Sequence, residues 1–295
     1  TVVNNAAIDF GTSSVGGNLS ATASAGTITQ NGGVLTVTGT SAFTTSTNDQ
    51  AITLGDTGNA LNGAVTFTTG GTAGNVTIDN GTTALDLAAS TISGTLKATG
   101  GATAGIVDSG NVAVSGDVTL ITDANNGVIN LDTLQQSAGD LVLTTDGTGD
   151  ATVVNNAAID FGTSNVGGKL IATASAGTIT QNGGELIIAG TSSFTTSAND
   201  ATITLTDADN EFAGAVSFSS NDSDGNNEEA VQLTNSIATK LGGSKESGSL
   251  VVISNSGQIS QTGALNVDTT SSFTAGTNKI DLSVATNEFS GLVTV

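Results

Sequence analysis

The strongest constraint on this chain is that it restates itself. The stretch from Gly26 to Phe67, GTITQNGGVLTVTGTSAFTTSTNDQAITLGDTGNALNGAVTF, returns from Gly177 to Phe218 at a constant offset of 151 residues. Residues 1–67 and 152–218 align without a gap and agree at 49 of 67 positions. A third version runs from Gly257 to Val295, and a worn fourth lies between Gly105 and Leu143. Including the worn copy gives a finer period of roughly 77 residues, seen where V15-G-G-N-L becomes I92-S-G-T-L, V166-G-G-K-L and finally S247-G-S-L. Sequence units then fall at approximately 15–91, 92–165, 166–246 and 247–295 (partial), with 1–14 ending a preceding unit. The chain opens and closes in mid-pattern and reads as one continuous segment of a longer array.

The substitutions between copies separate an inner set of positions from an outer one. Leu19, Ile28, Leu35, Phe43, Ile52, Leu54, Val65 and Phe67 recur unchanged, and Val37 and Leu61 become only Ile188 and Phe212. Asn18, Thr36 and Ala60 instead become Lys169, Ile187 and Glu211, so these sites accept a change of polarity. The apolar positions alternate with polar ones, as in Leu35-Thr36-Val37, Ile52-Thr53-Leu54 and Val65-Thr66-Phe67. Such alternation over short runs specifies strands with one buried and one wet face. Gly, Asn and Asp punctuate the runs, and no window of a dozen residues has a helical period.

Composition narrows the architecture further. Leu, Ile, Val and Phe number 72 of 295, enough to fold, while most of the rest is Thr, Ser, Ala, Asn and 40 Gly, too small to fill a thick core. A thin core repeated along an axis fits best. The expected fold is therefore all-β, a right-handed parallel β-helix (β-solenoid), in which each coil buries its face only by stacking on the next. A dozen or so turns would make an elongated rod on the order of 60 Å long. A β-sandwich also uses short alternating strands but gives no reason for a pattern that ends and begins again.

The same residues carry a family resemblance. The sequence LSATASAGTITQNGGVLTVTGTSAFTTSTNDQAITLGDTGNALNGAVTF resembles repeats of large bacterial exoproteins of the filamentous-haemagglutinin type. That resemblance implies a right-handed β-helical shaft, export by two-partner or autotransporter secretion, a place outside the cell or on its surface, and a part in adhesion or biofilm.

The chain is poor in chemistry. It has no His, Cys or Arg, which removes Ser-His-Asp and Cys-His nucleophile systems and ordinary zinc sites. Only carboxylate pairs remain for acid–base work, and with 26 acidic residues chance pairs are expected. The expectation is that the protein is not an enzyme. The net charge of −21 opposes nucleic acid and anionic lipid as partners, and no apolar run is long enough to span a membrane. The expected partners are other repeats of the same protein, by head-to-tail association, and a host or matrix glycan or receptor.

One local feature could bind an ion. Between Ser219 and Ala230 the TTGGTAG of the first unit becomes SSNDSDGNNEEA, and Asp207, Asp209, Asp222, Asp224 and Glu228 are candidate oxygen ligands for Ca²⁺. The competing reading is a solvated hydrophilic loop inserted between turns, with no cofactor. Phe43, Phe194 and Phe273, in equivalent positions, are expected to stack inward rather than to form platforms for sugars. Three functions follow: a non-catalytic structural shaft or fibre, a β-helical module that itself grips glycan or a receptor, and a carbohydrate-active enzyme. A binding face should gather unlike residues at one unit that the others lack, and only the acidic insert does so.

Overall fold

A computed structural model describes residues 1–223 and 225–295. The chain forms two compact units, Thr1–Asp150 and Ala151–Val295, each a parallel β-solenoid. Every element among the described residues is a short strand, and there is no helix. The alternation seen in the sequence becomes alternation in burial: Leu19, Ala21 and Ala23 point into the core while Ser20 and Thr22 stay half-exposed. No strand could bury its inner face alone. Each coil instead pairs in parallel with the next, 19 to 28 residues on, so like positions stack.

In the first unit one column runs Ile8, Ile28, Ile52, Val76, Leu96, Val118 and Leu141, each paired with the next. All seven are buried. A second column aligns Ala21, Phe43 and Phe67. The second unit builds the same arrangement from Ile159, Ile179, Ile203, Val231 and Leu250.

The coil has two unlike sides. In the first coils of unit 1, one side is a single long strand (Leu19–Ala23, Ser41–Asn48, Val65–Gly70) and the other is bent into two short ones, such as Ile28–Gln30 and Leu35–Val37. Partway along, the sides exchange. Val65 pairs with Leu87 and Thr68 with Thr91, so the long strand Val65–Gly70 stacks on the two short strands Leu85–Leu87 and Ser90–Ile92. The long strands continue on the other side as Val76–Asp79 and Leu96–Gly100. Leu96, the repeat equivalent of Leu19, therefore lies in the sheet of Ile28 and Ile52 and not in that of Leu19.

The sequence period is thus three and a half coils. The half-coil remainder puts successive copies on opposite sides, offset along the axis by roughly 17 Å at the usual strand spacing. Unit 2 does the same. Leu170, Ser192, Val216 and Leu241 form one column, while Leu250 joins Val231 in the opposite sheet.

Corners are tight where coils approach closely. Gly26, Gly177 and Gly257 adopt φ of +110°, +107° and +134°. A side chain at any of them would press on Ala7, Ala158 or Ala238 of the coil below. Only glycine meets both demands.

Candidate functional site at the coil corners and the insert

The phenylalanines are internal apart from the half-buried Phe289. Phe43 and Phe67 stack at 5.8 Å between ring centroids, and Phe194 and Phe218 at 6.0 Å. Phe10 and Phe161 meet these stacks edge-on, and Phe273 does the same with Phe289. Phe43, Phe67, Phe194, Phe218 and Phe273 are all buried, so none offers a surface to a sugar.

The recurrent buried polar feature is an amide pair. Gln30 donates through Nε2 to Asn59 Oδ1 (2.5 Å), and Asn59 Nδ2 donates back to Gln30 Oε1 (3.0 Å). Asn59 also accepts from the Leu35 amide and donates to the Leu54 and Asp79 carbonyls. Gln181 with Asn210 and Gln261 with Asn287 repeat the exchange. In the worn copy Asp108 stands at the glutamine position and takes the Thr133 amide and hydroxyl instead. This pair satisfies backbone groups that the bent side cannot place in a ladder. Sequence reading passed over it, although its signal was present: glutamine and asparagine recur in register where neighbouring polar residues drift.

The acidic residues nominated for calcium divide between two places. Asp207 is half-buried in the turn after Leu205; its Oδ1 accepts from the Asp209 amide (2.9 Å), and its own amide donates to Gln181 Oε1. Asp56 does the same in unit 1, capping the Gly58 amide and donating to Gln30. The Asp207 position thus has a turn-forming role that recurs without the insert, and Asp209 is simply exposed. Asp222 lies at another corner, after the strand Ala215–Ser219, where its Oδ1 receives the Gly225 amide (2.6 Å), and Glu228 is exposed. Asp224 lies outside the described residues. Among the described residues no three carboxylates converge on a common point.

The insert differs from a wholly solvated loop at one residue. Asn221, Ser223 and Gly225 to Glu228 are exposed, with Asn221 tied to the Ser197 carbonyl and Ser223 to Asn199 Oδ1. Glu229, however, is fully buried; its Oε1 accepts from the Asp200 amide (3.1 Å), and its Oε2 has no partner. By register on the following strands, Glu229 takes the place of Gly74.

Beside the insert lies an open cleft of about 400 Å³ lined by Thr195, Thr196, Ser197, Ser219, Ser220, Asn221 and Lys245. Ser219 pairs with Lys245 across the exchange of sides, where unit 1 pairs Thr68 with Thr91. The cleft is therefore a hydroxyl-lined groove with one exposed cation that the first unit lacks.

The model of a family described as repeats of unknown function (DUF5649) matches four segments, residues 1–68, 73–147, 148–219 and 228–295. The chain belongs to the DUF5649 repeat family. Its third and fourth DUF5649 copies are separated by residues 220–227, which fall within the acidic insert. No curated protein and no solved structure matches the chain.

Proposed function

We propose that this DUF5649 array is a non-catalytic structural shaft of a large secreted or cell-surface bacterial protein, supporting adhesion, biofilm or filament formation. One observation supports this above the others: the recurrent polar residues are engaged in closing the coil. The Gln–Asn pair and the inward Phe stacks hold one coil to the next, and the Asp56 and Asp207 caps close a turn within a coil. What repeats in the sequence is thus scaffold. The resemblance to filamentous-haemagglutinin repeats supports the surface location and the link to adhesion. Further repeats of the same chain, or a second copy meeting it head to tail, are the partners this reading assigns. Nucleic acid and membrane insertion are not among them.

Mechanical unfolding of the full chain tests the shaft directly. The expected trace is a series of force-bearing steps, each releasing one coil or a few. Extension at forces no greater than those of an unfolded chain would overturn the proposal. Protease treatment of intact cells carrying the tagged parent protein tests the location, and full protection until lysis would rule out the surface.

A second reading, direct glycan or receptor binding, draws on the cleft at Lys245, whose side chain has no counterpart at Thr91. Its test is a glycan array probed with the wild-type chain and with Lys245→Thr. Binding lost in the variant would favour it over a bare shaft.

A further inference from the structure

Glu246 stands where a core residue is expected. Counting four residues back from the leucine that opens each long strand (Leu19, Leu96, Leu170, Leu250) gives Val15, Ile92, Val166 and Glu246. The strand Ser244–Glu246 turns Lys245 outward and its two flanking residues inward, and Glu246 has no exposed surface. Neither carboxylate oxygen has a formed hydrogen bond, although the Ser244 hydroxyl and the residue's own amide are close enough to pull its pKa partly back down. Burial pushes the carboxyl up to about 8, and repulsion from Asp268 adds to the rise.

Burial outweighs both of those contacts, and the surroundings show why. Ser220, Glu229 and Ser247 meet at the same corner: the Ser247 amide donates to Ser220 Oγ, and Gly248 rests on the Glu229 backbone. Above, Glu246 pairs in register with Val267, and the Asp268 amide donates to its carbonyl. The charged residues at this corner are thus Asp268 from the coil above, which acts on the carboxyl directly, Glu229 from the coil below, whose side chain turns to the Asp200 amide, and Lys245 on the outer surface. Two of the three are acidic, and the cation faces away. In unit 1 the corresponding corner is neutral and closed: Thr69 and Ser93 bond each other and the Gly74 and Gly70 carbonyls.

We propose that Glu246 makes this corner of unit 2 a proton-gated joint, closed while the carboxyl is protonated and loosened when it ionises. A buried carboxylate without a partner is strongly disfavoured, so ionisation requires the corner to open to water. The coils that would part are those carrying Val231–Asn235 and Leu250–Ser254, which pair along their whole length beside it. The sign follows from the two states. The unfolded or opened carboxyl loses its proton near 4.5, whereas the closed one holds it to about 8. The closed form therefore loses ground as pH rises from 4.5 to 8 and levels off above that.

Hydrogen exchange of the full chain at pH 5, 7 and 9, corrected for intrinsic rates, tests the joint. Protection of Leu250–Ser254 is expected to fall by on the order of a thousandfold across this range. The equivalent strand Leu96–Gly100, which follows Ile92, should hold its protection and serves as the internal control. Glu246→Gln should remove the pH dependence. Glu246→Val, which installs the residue found at positions 15 and 166, should remove it and raise protection at all three values. A carbon-detected titration of the Glu246 carboxyl should show a midpoint near 8. A midpoint near 4.5, or a wild-type profile no different from that of Glu246→Val, would overturn the proposal.

Discussion

Gln30 and Asn59 lie 29 residues apart and exchange two hydrogen bonds across one coil, Nε2 to Oδ1 at 2.5 Å and Nδ2 to Oε1 at 3.0 Å. Asn59 is buried, and its Oδ1 accepts from the Leu35 amide. Asn59→Ala would leave that amide and the Leu54 and Asp79 carbonyls short of partners. At about 1–3 kcal/mol for each buried group left unsatisfied, with some relaxation, the expected loss is about 3 kcal/mol. Asn62→Ala is the control: Asn62 is exposed, its counterpart is Ala213, and its change should stay within about 0.5 kcal/mol. Denaturant melts compare the two, and equal losses would show that the pair carries no special weight.

The Phe column makes a sharper contrast. Phe43 has no exposed surface and is packed between Phe10 and Phe67. Phe43→Ala should cost about 3–5 kcal/mol and Phe43→Asp more, because an unpaired charge replaces the ring. Thr36 is half-exposed on its strand and is matched by Ile187, so Thr36→Ile should be nearly neutral. Thr36→Asp should also be mild. Equal destabilisation by Phe43→Asp and Thr36→Asp would contradict the inward column.

Much of this was legible because strand alternation has a period of two and the copies can be compared. Leu19, Ile28, Phe43 and Val65 were marked as inward by staying apolar while Asn18 and Thr36 drifted. What alternation does not encode is which side of the coil a strand joins, since Leu19 and Leu96 sit in the same local pattern yet in opposite sheets. Only the coil length, about 22 residues, turns a 77-residue spacing into three and a half coils. Glu229 was hidden for a different reason. It belongs to a run of Asn, Asp and Glu whose composition signals solvent, and its burial comes from the coil stacked above it. Gln30 and Asn59 read as ordinary turn residues because their partnership spans a full coil.

Asp49 gives the clearest acid-side prediction. Its carboxylate accepts from the Thr72 amide (2.7 Å) and the Ala73 amide (2.9 Å), and these bonds hold its pKa below 3.8. A depressed carboxyl stabilises the fold above its unfolded pKa, and that contribution is lost as pH falls through the folded value. Asp49 also holds φ of +62°, which asparagine tolerates, so Asp49→Asn isolates the charge. The variant should be less stable than wild type at neutral pH, and the gap should close as pH drops below 3.8. A gap that stays constant down the acid range would show that the charge contributes nothing.

Asp207, a candidate calcium ligand by sequence, has a different role in the geometry. Its Oδ1 caps the Asp209 amide as Asp56 caps Gly58, and Asp56 has no acidic insert beside it. If the cap is what matters, Asp56→Ala and Asp207→Ala should each cost about 1 kcal/mol, the usual net value of one hydrogen bond. Asp207→Asn keeps an oxygen acceptor and should recover most of that loss. None of the three changes should depend on calcium. Thermal melts with calcium or with chelator, run on wild type and on Asp207→Asn, decide the matter. A large calcium-dependent rise in wild type that disappears in Asp207→Asn would restore Asp207 as a ligand, since an amide oxygen is a poorer partner than a carboxylate for a hard divalent cation. Equal melts in both media would leave Asp207 with the turn cap alone.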